Sequence, residues 1–322
     1  MYTKFFQLFL LMAVGFGANK LKIFSKQTYP GLNRFISYVT FPCIVFANTS
    51  GLTLTGATLL HFAEVVVAQA LFLALIIVLL HFYLKKRFAR LSPDEASHIL
   101  PPVEVSGTIP NNGFLGFPIS LLFYGAEGLF FTIAMNVSMN AVLFSYGDLQ
   151  YLPKEERANM PIGKAIRKGA LHPISFGALL GVLVAAFHIR LPELLTGTIS
   201  TVGSLCSPLA MIYIGSILAD ADIHLPKNEV RPLITGVSYK LFIAPLIALG
   251  LAFLLLRTGL WTPVIAKTFV LTATMPTVAY SLVFAEQHNG NVRLAGWAIL
   301  ASTVLSIATI PLWHELLERI LF

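Results

Sequence analysis

The chain has 322 residues, of which 56% are hydrophobic and only 11% are charged. A soluble domain carries about 25% charged residues, so this composition excludes a soluble globular protein and indicates an integral membrane protein. The formal net charge of +7 does not indicate nucleic-acid binding, which needs basic residues clustered on a solvated domain, and no hydrophilic segment here is long enough to form one.

Ten stretches are apolar enough to form membrane-spanning helices of about 20 residues each. They are predicted at residues 4–19, 29–49, 58–84, 97–122, 127–149, 166–187, 193–218, 229–256, 262–287 and 292–320. A hydrophilic loop at 150–165 separates the first five spans, in residues 1–149, from the second five, in residues 166–322. The predicted fold class is an all-α membrane protein with ten transmembrane helices.

The basic residues predict the orientation. Fifteen lysines and arginines follow the odd-numbered spans, whereas only Lys4, Arg190, Arg257 and Arg319 lie at the opposite ends. Basic loops stay on the cytoplasmic side of a membrane. The central loop is therefore predicted to be cytoplasmic, with both termini outside.

The two halves of the chain repeat with a constant offset of 166 residues. The pairs at this offset are Gly15 and Gly181, Gly31 and Gly197, Pro42 and Pro208, and Pro110 and Pro276, and Thr108-Ile109-Pro110 recurs as Thr274-Met275-Pro276. Because each half has an odd number of spans, the second half must enter the membrane inverted. Inverted repeats are typical of secondary transporters.

Pro110 and Pro276 lie inside spans four and nine, where proline removes a backbone donor and breaks or kinks the helix. Broken helices occur at bilayer depth only where the freed backbone groups face protein or a watery cavity. In an inverted repeat the N-termini of the two half-helices converge, and their dipoles favour an anion. A helix crossover that binds a carboxylate is predicted here, and the alternative is a tolerated proline kink.

Six polar side chains are candidates for contacts with that anion: Asn111 and Asn112 beside the first break, Thr274 and Thr277 beside the second, and Asn136 and Asn140 in span five. The last two are spaced i, i+4 and share one helix face. Their alternative role is interhelical hydrogen bonding that holds the bundle together.

Three charged residues inside predicted spans, Glu64, Glu104 and Lys240, are candidates for a coupling site or a charge partner. Glu104 is a candidate to bind a coupling proton, unless it lies at a hydrated interface. Lys240 is a candidate to pair with Glu64 or with the substrate, and snorkelling to the interface is the alternative. No nucleophile, base or metal-ligand spacing is present, so no enzymatic activity, metal or cofactor is expected.

Three segments resemble a known family. Residues 111–119, Asn-Asn-Gly-Phe-Leu-Gly-Phe-Pro-Ile, followed by Tyr124-Gly125, resemble the fourth-helix signature of the auxin efflux carrier family, which includes bacterial permeases and plant auxin transporters. Residues 31–35 leading to Pro42, and residues 275–277 leading to Phe284-Ala285-Glu286, are similar to its second-helix and ninth-helix patterns.

The resemblance implies a scaffold domain of spans one, two, six and seven, and a transport domain of spans three to five and eight to ten. It also implies crossing of helices four and nine at Pro110 and Pro276, elevator-type motion, a homodimer and a bacterial inner membrane. The implied substrate is a carboxylate such as malate, malonate or an auxin-like acid.

The predicted function is therefore transport of a small organic anion through the lipid bilayer. One alternative is a symporter of the bile-acid-type fold that is coupled to Na+ or H+, which a requirement for Na+ would reveal. The other is a membrane sensor that binds the anion without moving it, which would show binding without flux in liposomes.

Overall fold

The computed structural model describes residues 2–24, 27–52, 55–152, 173–219 and 225–321. Within these ranges every regular element is helical, and the only strand-like feature is one isolated bridge between two residues. The predicted central loop lies outside the described residues from position 153 onward.

Fourteen α-helices are numbered here in chain order through the described ranges. They are α1 (Tyr2–Lys20), α2 (Thr28–Phe35), α3 (Phe41–Ser50), α4 (Gly56–Arg87), α5 (Pro93–Thr108), α6 (Phe117–Val142), α7 (Pro173–Ala186), α8 (Glu193–Ser204), α9 (Cys206–Ala219), α10 (Lys227–Ser238), α11 (Ala244–Arg257), α12 (Pro263–Ala273), α13 (Tyr280–Gln287) and α14 (Val292–Ile320). Four π-helical turns add Ile36–Thr40, Asn112–Gly116, Leu143–Gly147 and Tyr239–Ile243.

Five helical runs in the described part of the chain are long and apolar enough to cross a membrane: Gly56–Arg87, Asn112–Gly147, Glu193–Ala219, Lys227–Arg257 and Val292–Ile320. The second run bends at Gly125, whose φ of 64° is outside the helical region, so it holds two helices joined end to end. Shorter apolar helices include Phe176–Ala186 and Pro263–Ala273. Each of the ten predicted spans overlaps with at least one described helix. The arrangement of the ten spans as an inverted repeat stays a prediction.

Three of the π turns in the described chain directly precede a helix that has proline as its second residue. The turns Ile36–Thr40, Asn112–Gly116 and Tyr239–Ile243 are followed by Pro42, Pro118 and Pro245, respectively. Proline donates no hydrogen bond and clashes with the carbonyl group four residues earlier, and a wider turn accommodates both effects. The helix therefore continues through these prolines with a local change of pitch.

Contacts divide the chain into two compact units. The first comprises Met1–Val66, Gly113–Val137 and Ala170–Asp220. Its helices α1 and α9 approach closely at two glycines: a Cβ atom at Gly15 would lie 2.0 Å from the carbonyl oxygen of Ile212, and one at Gly215 would lie 1.9 Å from that of Met12. Small residues allow such backbone contact between membrane helices.

The second unit comprises Val67–Asn112, Ser138–Gly169 and Ala221–Phe322. Aromatic rings pack in its core, with the ring centroid of Phe269 lying 5.2 Å from that of Phe72 and 5.0 Å from that of Trp261. Helix α14 contacts α5, α10, α12 and α13. This unit contains the two segments at which spans four and nine are interrupted.

Candidate functional site at the helix crossover

Both predicted interruptions are present in the second unit. Helix α5 ends at Thr108, and Ile109 has extended backbone angles of φ −95° and ψ 117°. Helix α12 ends at Ala273, and α13 begins only at Tyr280. A helix cannot continue unchanged through Pro110 or Pro276 because proline lacks the N–H group that the helical bond requires.

The two interrupted segments pair with each other as a short antiparallel bridge centred on Pro110 and Thr277. The backbone N–H of Asn111 donates to the carbonyl oxygen of Pro276 over 2.8 Å, and the N–H of Val278 donates to that of Ile109 over 3.1 Å. The bridge satisfies backbone groups that the breaks release. The N–H groups of Asn111 and Val278 are therefore occupied by backbone partners.

Thr274 and Thr277, both predicted beside the second break, have hydrogen-bond partners within the protein. The Thr277 hydroxyl donates to the carbonyl oxygen of Ser106 over 3.0 Å, and the Thr274 hydroxyl donates to that of Leu271 over 2.7 Å. The N–H of Thr277 donates to the side-chain oxygen of Ser302 over 3.1 Å. A hydroxyl has one proton to donate, so in this conformation Thr277 links the two segments, Thr274 bonds to the end of its own helix, and neither donates to an anion.

Asn111 and Asn112 are both buried beside the first break. The side chain of Asn112 has 0% exposure, and neither its amide nitrogen nor its amide oxygen has a hydrogen-bond partner among the described residues. A buried polar group without a partner costs about 1–3 kcal/mol, which a bound ligand would recover. Asn112 is therefore the predicted site residue with the strongest structural reason to bind a ligand.

Asn136 and Asn140 are buried on α6, one turn apart. Oδ1 of Asn136 and Nδ2 of Asn140 have no hydrogen-bond partner in the described part of the chain. These two atoms therefore form no hydrogen bond to another described helix, which was the alternative role predicted for the two asparagines. Asn136 belongs to the first unit and Asn140 to the second.

Lys240 lies in the π turn Tyr239–Ile243 and is 0% exposed, which excludes snorkelling. Its Nζ donates to the carbonyl oxygen of Ala273 over 3.2 Å, at the C-terminal end of α12, where the helix dipole is negative. Glu64, the other predicted partner, instead lies 3.0 Å from His61 through Oε2 and Nδ1. Lys240 and Glu64 therefore do not pair with each other: Lys240 bonds to Ala273, and Glu64 bonds to His61.

Glu104 is buried, with 4% exposure, so the alternative of a hydrated interfacial position does not apply. Its Oε1 lies 2.8 Å from Nδ1 of His81, and its Oε2 accepts a hydrogen bond of 2.8 Å from the Tyr146 hydroxyl. Sequence reasoning missed His81 and Tyr146, because they are 23 and 42 residues away from Glu104 along the chain. Glu104 is the buried member of this group, whereas the His81 side chain is 54% exposed, so the three side chains link a buried carboxylate to an exposed imidazole.

Residues 1–314 match the family described as "Membrane transport protein". The chain is 26% identical over 310 residues to an "Uncharacterized transporter" of Methanothermobacter thermautotrophicus, which covers 96% of this chain and 95% of the relative. It is 22% identical to "Auxin efflux carrier component 8" of Arabidopsis thaliana, with 97% and 95% coverage. It is also 23% identical to a "Putative malonate transporter" of Rhizobium meliloti, with 94% and 91% coverage.

Proposed function

The chain belongs to the auxin efflux carrier family of membrane transport proteins, and from this premise we propose that it carries a small organic anion bound at the helix crossover. It is an integral membrane transporter and not an enzyme. The single observation that carries the proposal is the fully buried, unpartnered amide of Asn112 beside a pair of broken helices.

In this proposal, the amides of Asn111 and Asn112 donate to the carboxylate, and Asn140 offers a further amide in the same unit. Thr274 and Thr277 support the site by fixing the backbone around it, rather than by donating to the anion. Carboxylates suit the site because side-chain amides and helix N-termini both favour a negative oxygen.

The proposed substrate class is a carboxylate such as malonate, malate or an auxin-like acid. The names of two relatives support it: one is named for malonate and the other for auxin. Lys240 forms no ion pair with a described carboxylate, and in this proposal a bound carboxylate provides the negative partner for its buried amine.

We further propose elevator-type alternating access by a homodimer, with a scaffold formed by spans one, two, six and seven. Helices α1 to α3 and α7 to α9, which fall in those spans, lie in the first compact unit together with residues 113–137 of spans four and five, and the whole backbone bridge of the crossover lies in the second. This division supports a mechanism in which the substrate moves with one unit. The proposed location is a bacterial inner membrane, with both termini outside.

The direction of transport depends on the driving ion. An uncoupled carrier would export the anion, because outward movement of one negative charge is favoured by about 2.3 kcal/mol per 100 mV. Import needs a coupling cation, and the hydrogen-bonded group of Glu104, His81 and Tyr146 favours H+ over Na+ in this proposal. Proton binding at Glu104 would then accompany anion uptake.

The proposal can be tested in proteoliposomes with radiolabelled malonate, malate and indole-3-acetate, each with and without imposed pH and Na+ gradients. We expect uptake of at least one acid, and a loss of that uptake in Asn112→Ala. Uptake that requires Na+ would instead support the symporter of the bile-acid-type fold. Binding without flux would identify a sensor and would overturn the transport proposal.

A further inference from the structure

A cavity of about 860 Å³ lies in the second unit between the C-terminal end of α4 and the N-terminal end of α10. Five basic residues line it: Lys86, Arg87, Arg90, Lys227 and Arg231. No acidic side chain from the described residues is part of its lining. The cavity is separate from the helix crossover, and transport as proposed above makes no use of it.

Of the acidic residues near the cavity along the chain, Asp94 is exposed in the first turn of α5 and does not line the cavity, whereas Glu95 and Glu229 have other partners. Glu95 accepts hydrogen bonds from both the backbone N–H and the hydroxyl of Ser92, in the cap of α5. Glu229 accepts from Asn291 over 2.8 Å and lies 3.5 Å from Arg293. None of the five basic residues forms an ion pair with a described residue.

Such a concentration of like charge repels itself and raises the local positive potential. The positive-inside rule requires basic residues on the cytoplasmic side but does not require them to lie close together. Here residues from two separate segments, 86–90 and 227–231, line one concave space. An anion in that space would contact side chains from both segments. Arginine suits a phosphate in particular, because its planar group donates two parallel hydrogen bonds.

The cavity also has an apolar part, formed by Phe88, Leu91 and Pro232. Helix α4 has an uninterrupted apolar run from Ala70 to Leu80 and ends in Lys85, Lys86 and Arg87, so its end marks the edge of the hydrocarbon layer. A ligand with a charged head and an apolar body fits both parts of the lining. Membrane lipids with anionic headgroups have this character, and basic pockets between membrane helices bind them.

We propose that this cavity binds the phosphate of an anionic lipid headgroup at the surface of the membrane. The phosphate contacts the basic residues, and the glycerol and upper acyl carbons lie against Phe88 and Leu91. Binding neutralises the clustered charge and holds the ends of α4 and α10 together. The site thereby makes the second unit sensitive to the lipid composition of the membrane.

The test uses the full chain in detergent micelles, titrated with phosphatidylglycerol or phosphatidylcholine, with bound lipid counted by native mass spectrometry. We expect preferential binding of phosphatidylglycerol. The double variant Arg87→Gln/Arg231→Gln should bind it about 25-fold more weakly, because each basic residue near an anionic lipid contributes roughly a fivefold factor. The matched control is Lys85→Gln/Lys4→Gln, which loses the same charge at residues that do not line the cavity.

Equal loss of binding in both double variants would show only diffuse attraction and would overturn the site. Equal binding of the two lipids by the unaltered chain would overturn it as well. A third arm adds inorganic phosphate at millimolar concentration: displacement of the lipid by free phosphate at that level would assign the cavity to a soluble anion and overturn the lipid proposal. Retained folding of every variant is checked by its thermal unfolding.

Discussion

The ammonium group of Lys240 donates a hydrogen bond to the carbonyl oxygen of Ala273, 3.2 Å away, across 33 residues of sequence. The carbonyl belongs to the last residue of α12, so the lysine caps the half-helix that ends at the crossover. The C-terminal dipole offers only about half a negative charge to this fully buried amine, so an anionic substrate nearby would favour its charged form.

We expect Lys240→Gln to weaken binding of the transported anion by roughly tenfold or more, because a buried charge pair loses one partner. Dicarboxylates should lose more affinity than monocarboxylates. Lys20→Gln is the matched control, since Lys20 likewise donates to a helix-terminal carbonyl, that of Ala219 at 2.8 Å, but is exposed in the first unit. Equal affinities of the two variants, measured by isothermal titration, would remove Lys240 from the site.

Asn112→Ala separates a ligand-binding role from a structural one. The amide has no partner in the described protein, so its removal should leave the thermal unfolding temperature unchanged or slightly higher. Binding of the carboxylate should fall by about 10- to 100-fold, the range for a lost hydrogen bond to a charged group. Asn48→Ala is the control, because that amide donates to the carbonyl oxygen of Ile44 in its own helix. Unchanged affinity together with lower stability would identify Asn112 as a structural residue.

Pro110→Ala should reduce transport more than it reduces expression or thermal stability. Alanine allows α5 to extend toward Asn112, and a continuous helix would break the bridge between Asn111 and Pro276. We expect initial uptake rates in proteoliposomes to fall by about an order of magnitude, in line with a small displacement of a binding site. Pro311→Ala is the control, since Pro311 lies inside the uninterrupted α14. Flux at the level of the unaltered protein would show that the interruption is not needed.

Glu104→Gln should abolish stimulation of uptake by an inward proton gradient while leaving anion exchange at equal pH largely intact. Glutamine keeps the shape of the side chain near His81 and Tyr146 but cannot take up a proton. Glu64→Gln tests the same change in another glutamate and histidine pair, Glu64 with His61, and should keep the response to pH. A proton response that survives in Glu104→Gln would place the coupling site elsewhere.

Gly15→Ala should destabilise the packing of α1 against α9. The new Cβ atom would lie 2.0 Å from the backbone oxygen of Ile212, so the helices must move apart. The cost of overpacking is about 1–3 kcal/mol and should appear as a lower unfolding temperature in detergent. Gly17→Ala, on the same helix, has no atom within 4 Å of the added Cβ and should be neutral. Equal unfolding temperatures for the two variants would contradict the close contact.

The sequence by itself determined the helical class and the positions at which helices four and nine are interrupted. Both follow from local properties: long apolar runs require helices in a bilayer, and Pro110 and Pro276 cannot continue one unchanged. Asn112 was recognisable as a candidate for the same reason, since it stands beside Pro110, where a helix is expected to kink or break.

Only the tertiary structure decided which donors remain open for a ligand. Thr277 was as good a candidate as Asn112 by position, but its hydroxyl proton is taken by the carbonyl oxygen of Ser106, 171 residues away. Lys240 was predicted to pair with Glu64 or with the substrate, and only the structure shows that it also donates to the end of a half-helix. Hydrogen-bond partners distant in the chain are chosen by the packing of whole helices, and neither periodicity nor spacing within one helix contains that information.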